Sequence, residues 1–329
     1  MFVLTSKIEV ASKKNGNISW SGVNDLRIKR SIGSYVDTCV IKLPTTAILN
    51  SNSTLTEQAV YAFNAGDPIT VNLGYNNELQ KEFKGFVSKV GFSTPVEIEC
   101  EGYSYLLKKK NINKSWKTTT LREVCEYITN GTAIKLSDAI PEMKLTNYKV
   151  HNATATKVLE YLIDQYKLVA YFNFDELYVG LEELAPAGNV GYALGYNTAD
   201  SSSLKYQHED EVRMKIVAKT TKKDGNKQKY SIGDADGSVK EIIVKNSDSI
   251  DQIKKSAKDY LARYKYTGFT GNFTAFLQPF ASIGYSCKII DQRYQERSGT
   301  YFLYSIEVTF GMNGARRICE LTKKLNVNG

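Results

Sequence analysis

The chain has 329 residues, 42% of them hydrophobic and 24% charged, with a net charge of +8 and 22 Tyr against 6 Pro. No apolar run approaches the roughly 18 residues that a transmembrane helix needs, and five widely spaced cysteines without a CxxC pair favour a reducing interior over a disulfide scaffold. The length suits two or three domains with their own cores, and the tyrosines favour strands and interfaces.

In chain order, residues 2–10, 20–29 and 35–43 read as strands, with turns at 13–17 and Gly33, and Pro44 stops the third. Residues 45–65, rich in Asn, Ser, Thr and Ala, predict a surface excursion with one helical turn. Residues 66–110 then give strand, tight turn, strand, turn, strand and short helix. Ile69, Val71 and Leu73 alternate with polar residues, as do Val96, Ile98 and Cys100, and the strand 83–90 lies between them. Asn76-Asn77 and the group Gly91, Ser93, Pro95 supply the turns. About six strands suffice for a first module, residues 1–107, that curls into a small barrel.

Residues 108–205 change pattern. Leu121, Val124, Cys125 and Ile128 share a helical face behind a capping box of Thr120 and Glu123, and Val158, Leu159, Leu162, Ile163 and Tyr166 do the same behind Thr154. The two helices align as Thr-x3-Val-x-Glu-Tyr, at Thr120, Val124, Glu126, Tyr127 and at Thr154, Val158, Glu160, Tyr161. Each runs into strand material, 133–136 and 168–174, and Asp175-Glu176 turns a hairpin into 177–181. This segment reads as an inserted α+β domain with two helix-strand repeats.

The second β-module, residues 206–329, opens with alternation at Val212, Met214, Ile216 and Ala218, a turn at Asp224-Gly225 and a return over 229–232. A helix over about 250–264 has Ile253, Ala257, Tyr260, Leu261 and Tyr264 on one face and Ser249 as cap. Residues 284–325 then repeat the plan of 66–110. Cys287 and Ile289 stand where Val71 and Leu73 stood, a turn at 295–299 replaces Asn76-Asn77, and 301–310 is the long middle strand. Asn313-Gly314 is a strong hairpin signal, and 316–321 closes the set. The fold class is therefore α+β and β-rich: two related small β-barrel modules flanking an inserted α+β domain.

Chemistry finds little foothold. His151 and His208 are the only histidines, so no metal-ligand spacing and no nucleophile-base arrangement is expected, and no catalytic, cofactor or metal residue is assigned. Residues 233–237, Gly-Asp-Ala-Asp-Gly, resemble part of a calcium loop but lack its third acid and distal Glu, and read as a turn. Trp20 and Trp116 beside lysines read as local packing rather than base-stacking platforms. The basic runs at 108–117, 215–229 and 254–265 read as solvated faces among 35 acidic residues. Cys39, Cys100 and Cys287 fall on alternating strand positions and Cys125 on a helical apolar face, which favours a reducing interior. The N-terminal run is too short and wrongly charged for a signal peptide, so a soluble product, cytoplasmic where it is made, is expected.

The order of parts points to a family. Ala257-x3-Leu261, then 268–273 (Gly-Phe-Thr-Gly-Asn-Phe), Pro279, Gly284, Ile289-Ile290-Asp291, Gly299-Thr300-Tyr301-Phe302 and Gly314-x-Arg316-Arg317 resemble the closing module of phage baseplate hub proteins. These include the late control protein D family and the hub part of type VI secretion spike proteins. Asp67-Pro68-Ile69 with Phe83-x-Gly85-Phe86-Val87 resembles their first module, and Trp116 with the two repeated helices falls where they carry an intervening domain. The resemblance implies a structural protein, not an enzyme, that needs no cofactor. It implies a homotrimer whose paired barrels form a pseudo-sixfold ring between a hexameric tail tube and a trimeric spike, around a channel for DNA or an effector. Strands at 69–103 and 286–321 would form the ring, and Tyr-rich faces the subunit contacts. The chain ends at Gly329, soon after the closing module, so the spike is expected to be a separate polypeptide. Tube protein, spike and other baseplate proteins are the implied partners, with DNA passing without specific binding and no membrane insertion. The implied location is the virion tail baseplate, assembled in the bacterial host cytoplasm. The alternatives are the hub-like base of a non-contractile tail tip, a cell-wall hydrolase acting through the middle domain, and a basic nucleic-acid binder.

Overall fold

A computed structural model describes residues 3–12, 16–48, 56–58, 62–166, 168–181, 187–221, 226–243 and 250–325. The predicted turn residues 13–15, residues 49–55 and 59–61 of the excursion, the Asp224-Gly225 turn and the Ser249 cap lie outside them.

The first third of the chain is almost wholly strand: β1 (Leu4–Ser12), β2 (Gly16–Trp20), β3 (Asp25–Ser31), β4 (Ser34–Leu43), a short ladder of β5 (Thr46–Ile48) with β6 (Thr56–Gln58), then β7 (Pro68–Tyr75), β8 (Glu78–Val90) and β9 (Val96–Glu101). The excursion carries a two-strand ladder as well as the expected helical turn before Gly66, of which Ala62 is described. The run expected as one strand over 20–29 is two, because the Trp20 indole donates to the Gly22 carbonyl at 2.7 Å and closes a turn between β2 and β3. Strict alternation drives these strands: Leu26 and Ile28 face in while their neighbours face out. Asn76 and Asn77, at φ 52° and 68°, make the tight turn between β7 and β8 in the left-handed region that Asn tolerates.

After a one-turn α1 (Ser104–Lys108), the middle segment runs β10 (Asn111–Thr120), α2 (Leu121–Thr129), β11 (Lys135–Leu136), β12 (Lys144–Thr154), α3 (Ala155–Tyr166), β13 (Val169–Asn173) and β14 (Glu176–Gly180). Thr120 caps α2 in a complete capping box with Glu123, and the Thr154 hydroxyl accepts from the Lys157 amide at 3.4 Å. Each repeat proves longer than its helix, since a strand leads directly into each cap. These strands pair antiparallel, and Ser115 meets Lys149, 34 residues on, the offset that also relates Thr120 to Thr154. Apart from an irregularity between Ile112 and Lys114, the pairing is therefore symmetric about Ser115 and Lys149.

The last part comprises β15 (Asn189–Ala193), β16 (Thr198–Asp200), β17 (Leu204–Gln207), β18 (Met214–Thr221), β19 (Lys227–Gly233), β20 (Ser238–Ile243), α4 (Ile250–Ala262), β21 (Gly268–Ala275), β22 (Ser286–Ile290), β23 (Gly299–Gly311) and β24 (Gly314–Lys324). Strands β15 to β17, which the sequence placed at the end of the inserted domain, pair with β21 and β22. Strands β18 to β20 form their own sheet under α4, around a separate small core of Ile216, Ala218, Ile253 and Ala257.

The two β-rich parts are one structure. A single 14-stranded sheet runs β16-β21-β24-β23-β3-β4-β9-β8-β7-β1-β2, with β15, β17 and β22 attached beside this path. The β3–β23 ladder joins them, from Ser305 opposite Ser31 to Gly311 opposite Asp25. The path is open at its ends, and no closed barrel is found among the described residues; as expected, the molecule is β-rich, with few helices. Within it one plan occurs twice. The meander β7-β8-β9, flanked by β4 on β9, matches β22-β23-β24, flanked by β21 on β24, and both middle strands have 13 residues. The copies part company at the next strand, since β1 is antiparallel to β7 while β15 is parallel to β22.

Candidate assembly site at the junction of the modules

Two core-facing positions hold arginine. Arg30 follows Leu26 and Ile28 on the inward side of β3, and Arg317 lies between Ala315 and Cys319 on the inward side of β24. A guanidinium there must find partners, because an unpaired buried charge is strongly destabilising. Arg30 pairs with Asp37 on β4 at 3.3 Å, donates to the Ser282 hydroxyl at 3.1 Å and the Phe172 carbonyl at 3.3 Å, and stacks over the Phe174 ring at 4.5 Å. Arg317 pairs with Glu82 on β8, donates to the Ala281 carbonyl at 2.7 Å and lies over Phe280 at 4.9 Å. One arginine of the first module thus grips the second module and the middle segment, and one arginine of the second grips the first.

Burial governs the acids of this junction. It lifts the Glu82 carboxyl from its ordinary 4.5 to about 7 and that of Asp37 from 3.8 to about 6, against the pull of the arginines beside them. One Asp37 oxygen takes the Arg30 bond and the other is buried without a partner among the described residues, which adds to the cost of its charge. The arrangement is a sealed polar clamp.

The solvent side of the shared strands is laced with exposed ion pairs. Lys89 meets Glu99 at 3.0 Å, Lys42 meets Glu97 at 3.9 Å, and Glu307 receives Arg27 at 2.5 Å and Lys29 at 3.6 Å, spanning β8, β9, β4, β3 and β23. Such pairs add about 0–1 kcal/mol each. Their effect is to keep this face polar and near charge balance, although the whole chain is basic.

The residues singled out from sequence take other places. Trp20 is buried beside Phe63, and Trp116 stands edge-on to Tyr127 with the Lys114 ammonium 5.2 Å from its ring. His151 is exposed, and so is His208, next to the Tyr206 ring. In the 233–237 turn Asp234 is held by Lys265 at 2.7 Å and Asp236 by Arg213, so both acids serve a turn. Some tyrosines lie inside, and for two of them a backbone carbonyl satisfies the hydroxyl: Tyr192 donates to that of Pro279 at 3.1 Å and Tyr178 to that of Leu181 at 2.8 Å. All five cysteines are free and buried.

Sequence reasoning missed the two inward arginines. Their signal was present: each occupies an apolar position in an otherwise regular alternation, where a charge implies a partner.

No family model matches the chain, and no curated protein matches it in sequence. Solved structures do match in fold. A tail protein from Neisseria meningitidis superposes with a TM-score of 0.65 at 14% identity, covering 98% of this chain and 97% of that one. The 43 kDa tail protein of prophage MuSo2 from Shewanella oneidensis gives 0.62 at 14% identity, with 97% and 98% covered. An E. coli protein described as a type VI secretion component similar to bacteriophage T4 tail proteins gives 0.52 at 9% identity, covering 97% of this chain and 77% of that one. Over nearly its whole length, the chain has the fold of phage tail proteins.

Proposed function

We propose that this protein is the structural hub of a phage tail baseplate or a related injection machine, with a mechanical rather than catalytic role. Three copies form a ring in which the two β-modules of each chain supply six similar positions, joining a hexameric tail tube to a trimeric spike carried on another chain. The observation that carries this reading is the repeated four-strand plan inside one continuous sheet, β4 with β7-β8-β9 and β21 with β22-β23-β24. We place the first module at residues 1–107 and let the second take up β15 to β17 as well as β21 to β24. Each module stands for one small barrel of the ring, and the open edge at β2 is covered by a neighbouring protomer, which protects it from uncontrolled pairing. The charge-balanced face across β8 to β23 suits a channel wall that neither traps nor repels DNA.

The test is the mass of the native assembly with its purified tube and spike proteins. A complex with three copies of the 36.9 kDa chain, ring-shaped in projection, is expected. A chain that remains monomeric in their presence overturns the reading.

A further inference from the structure

Two of the most exposed large apolar side chains occupy matching places in the two modules. Phe92, 82% exposed, is in the turn that follows β8, and Met312, 87% exposed, is in the turn that follows β23; each comes directly after a glycine, Gly91 or Gly311. Val90, Ile98, Ile41, Leu26 and Phe310 are successive register partners across β8, β9, β4, β3 and β23. Phe92 and Met312 each lie two residues beyond the ends of that row. Both turns therefore project from the same end of the sheet, about 19 Å apart at ~4.8 Å per strand over four spacings.

The turns are also fixed. The Gly91 amide donates to the Glu97 carbonyl at 2.7 Å and the Ser93 hydroxyl to that of Pro95 at 2.7 Å. The Met312 amide donates to the Asn24 carbonyl at 3.2 Å, and a Cβ on Gly311 would come within 2.4 Å of that same oxygen. An ordered backbone removes the cost of ordering the turn on docking and leaves only the side-chain rotamers to be fixed.

We propose that Phe92 and Met312 are paired docking knobs for a partner that presents one deformable apolar pocket repeatedly, on identical subunits arranged in a ring. The repetition of the knobs within a single chain is what calls for a repeated pocket. Among the grooves of the described residues, the one lined by Val10, Ala11, Ile18 and Pro68 is apolar, but it occurs once per chain and offers no matched pair to two knobs, while the grooves at Lys114, Arg122 and Glu123 and at Glu209, Lys255 and Asp259 are rimmed with charge. The inference rests on the hub reading, which makes the end ring of the tail tube the partner.

The experiment measures binding of the purified tube protein from the same particle to the full-length chain and to Phe92→Ser, Met312→Ser and the double variant, with thermal melting as a folding control. Each single change is expected to weaken binding about tenfold or more and the double change about a hundredfold, as loss of a buried large apolar side chain implies. Equal binding by all variants, or loss at one position only, overturns the inference and leaves the hub reading intact. A chain that forms no complex with tube protein at all overturns both.

Discussion

Burial of Glu82 and Asp37 beside Arg317 and Arg30 imposes a pH dependence, which the arginines oppose. With Glu82 raised to about 7 and Asp37 to about 6, the folded chain keeps protons that the unfolded chain has already released above their ordinary values of 4.5 and 3.8. That part of the stability is complete below about pH 4 and is lost as pH rises through 6 and 7. Urea unfolding is expected to show lower stability at pH 8 than at pH 5, by on the order of 2 kcal/mol. Glu82→Gln should remove most of the difference. A stability that instead rises over this interval would mean that the arginines outweigh burial. At this scale the sequence announced much of the apolar core, since alternation names Ile69, Val71, Leu73, Val96 and Ile98, all of them buried. It did not announce the clamp, because Ser282, Phe172 and Arg30 meet only after distant segments fold together.

Among the elements, α2 depends most visibly on a local signal. The Thr120 hydroxyl receives the Glu123 amide at 3.2 Å while the Glu123 carboxylate takes the Thr120 amide at 3.0 Å. Thr120→Ala is expected to cost about 1 kcal/mol in denaturant unfolding, and an unchanged midpoint would show that tertiary contacts alone hold the helix. Both helices of the middle segment and their caps were legible, because capping and helical periodicity are local. Strands β10 and β12 were not, for Asn111–Thr120 is mostly exposed and offers only Ile112 and Thr119 to the interior. A strand with so little buried surface leaves a weak period-2 trace, and its lysines suggested a solvated run instead. The hairpin at Asn313-Gly314 lay at the other extreme, with turn chemistry strong enough to place β23 and β24 from sequence.

For the whole molecule, the decisive connection is the β3–β23 ladder, which makes two modules into one sheet. Residues 1–107 alone would expose the β3 edge and strip Arg30 of Ser282 and Phe172. Light scattering of that fragment is expected to show self-association or aggregation under conditions where the full chain does neither; a stable monomeric fragment would show that the modules are independent. This ladder was invisible in the sequence, where its strands are separated by most of the chain and nothing local records long-range pairing. The duplicated meander was visible, because turn and alternation patterns survive where residue identity does not. The symmetric β10–β12 pairing carries a consequence of another kind. A strand whose mate lies one repeat length away, in reversed orientation, has the geometry to meet its own copy in a second molecule. The middle segment therefore has the form of a fused dimer, and a polypeptide holding just one such unit would already contain the instructions to find its twin.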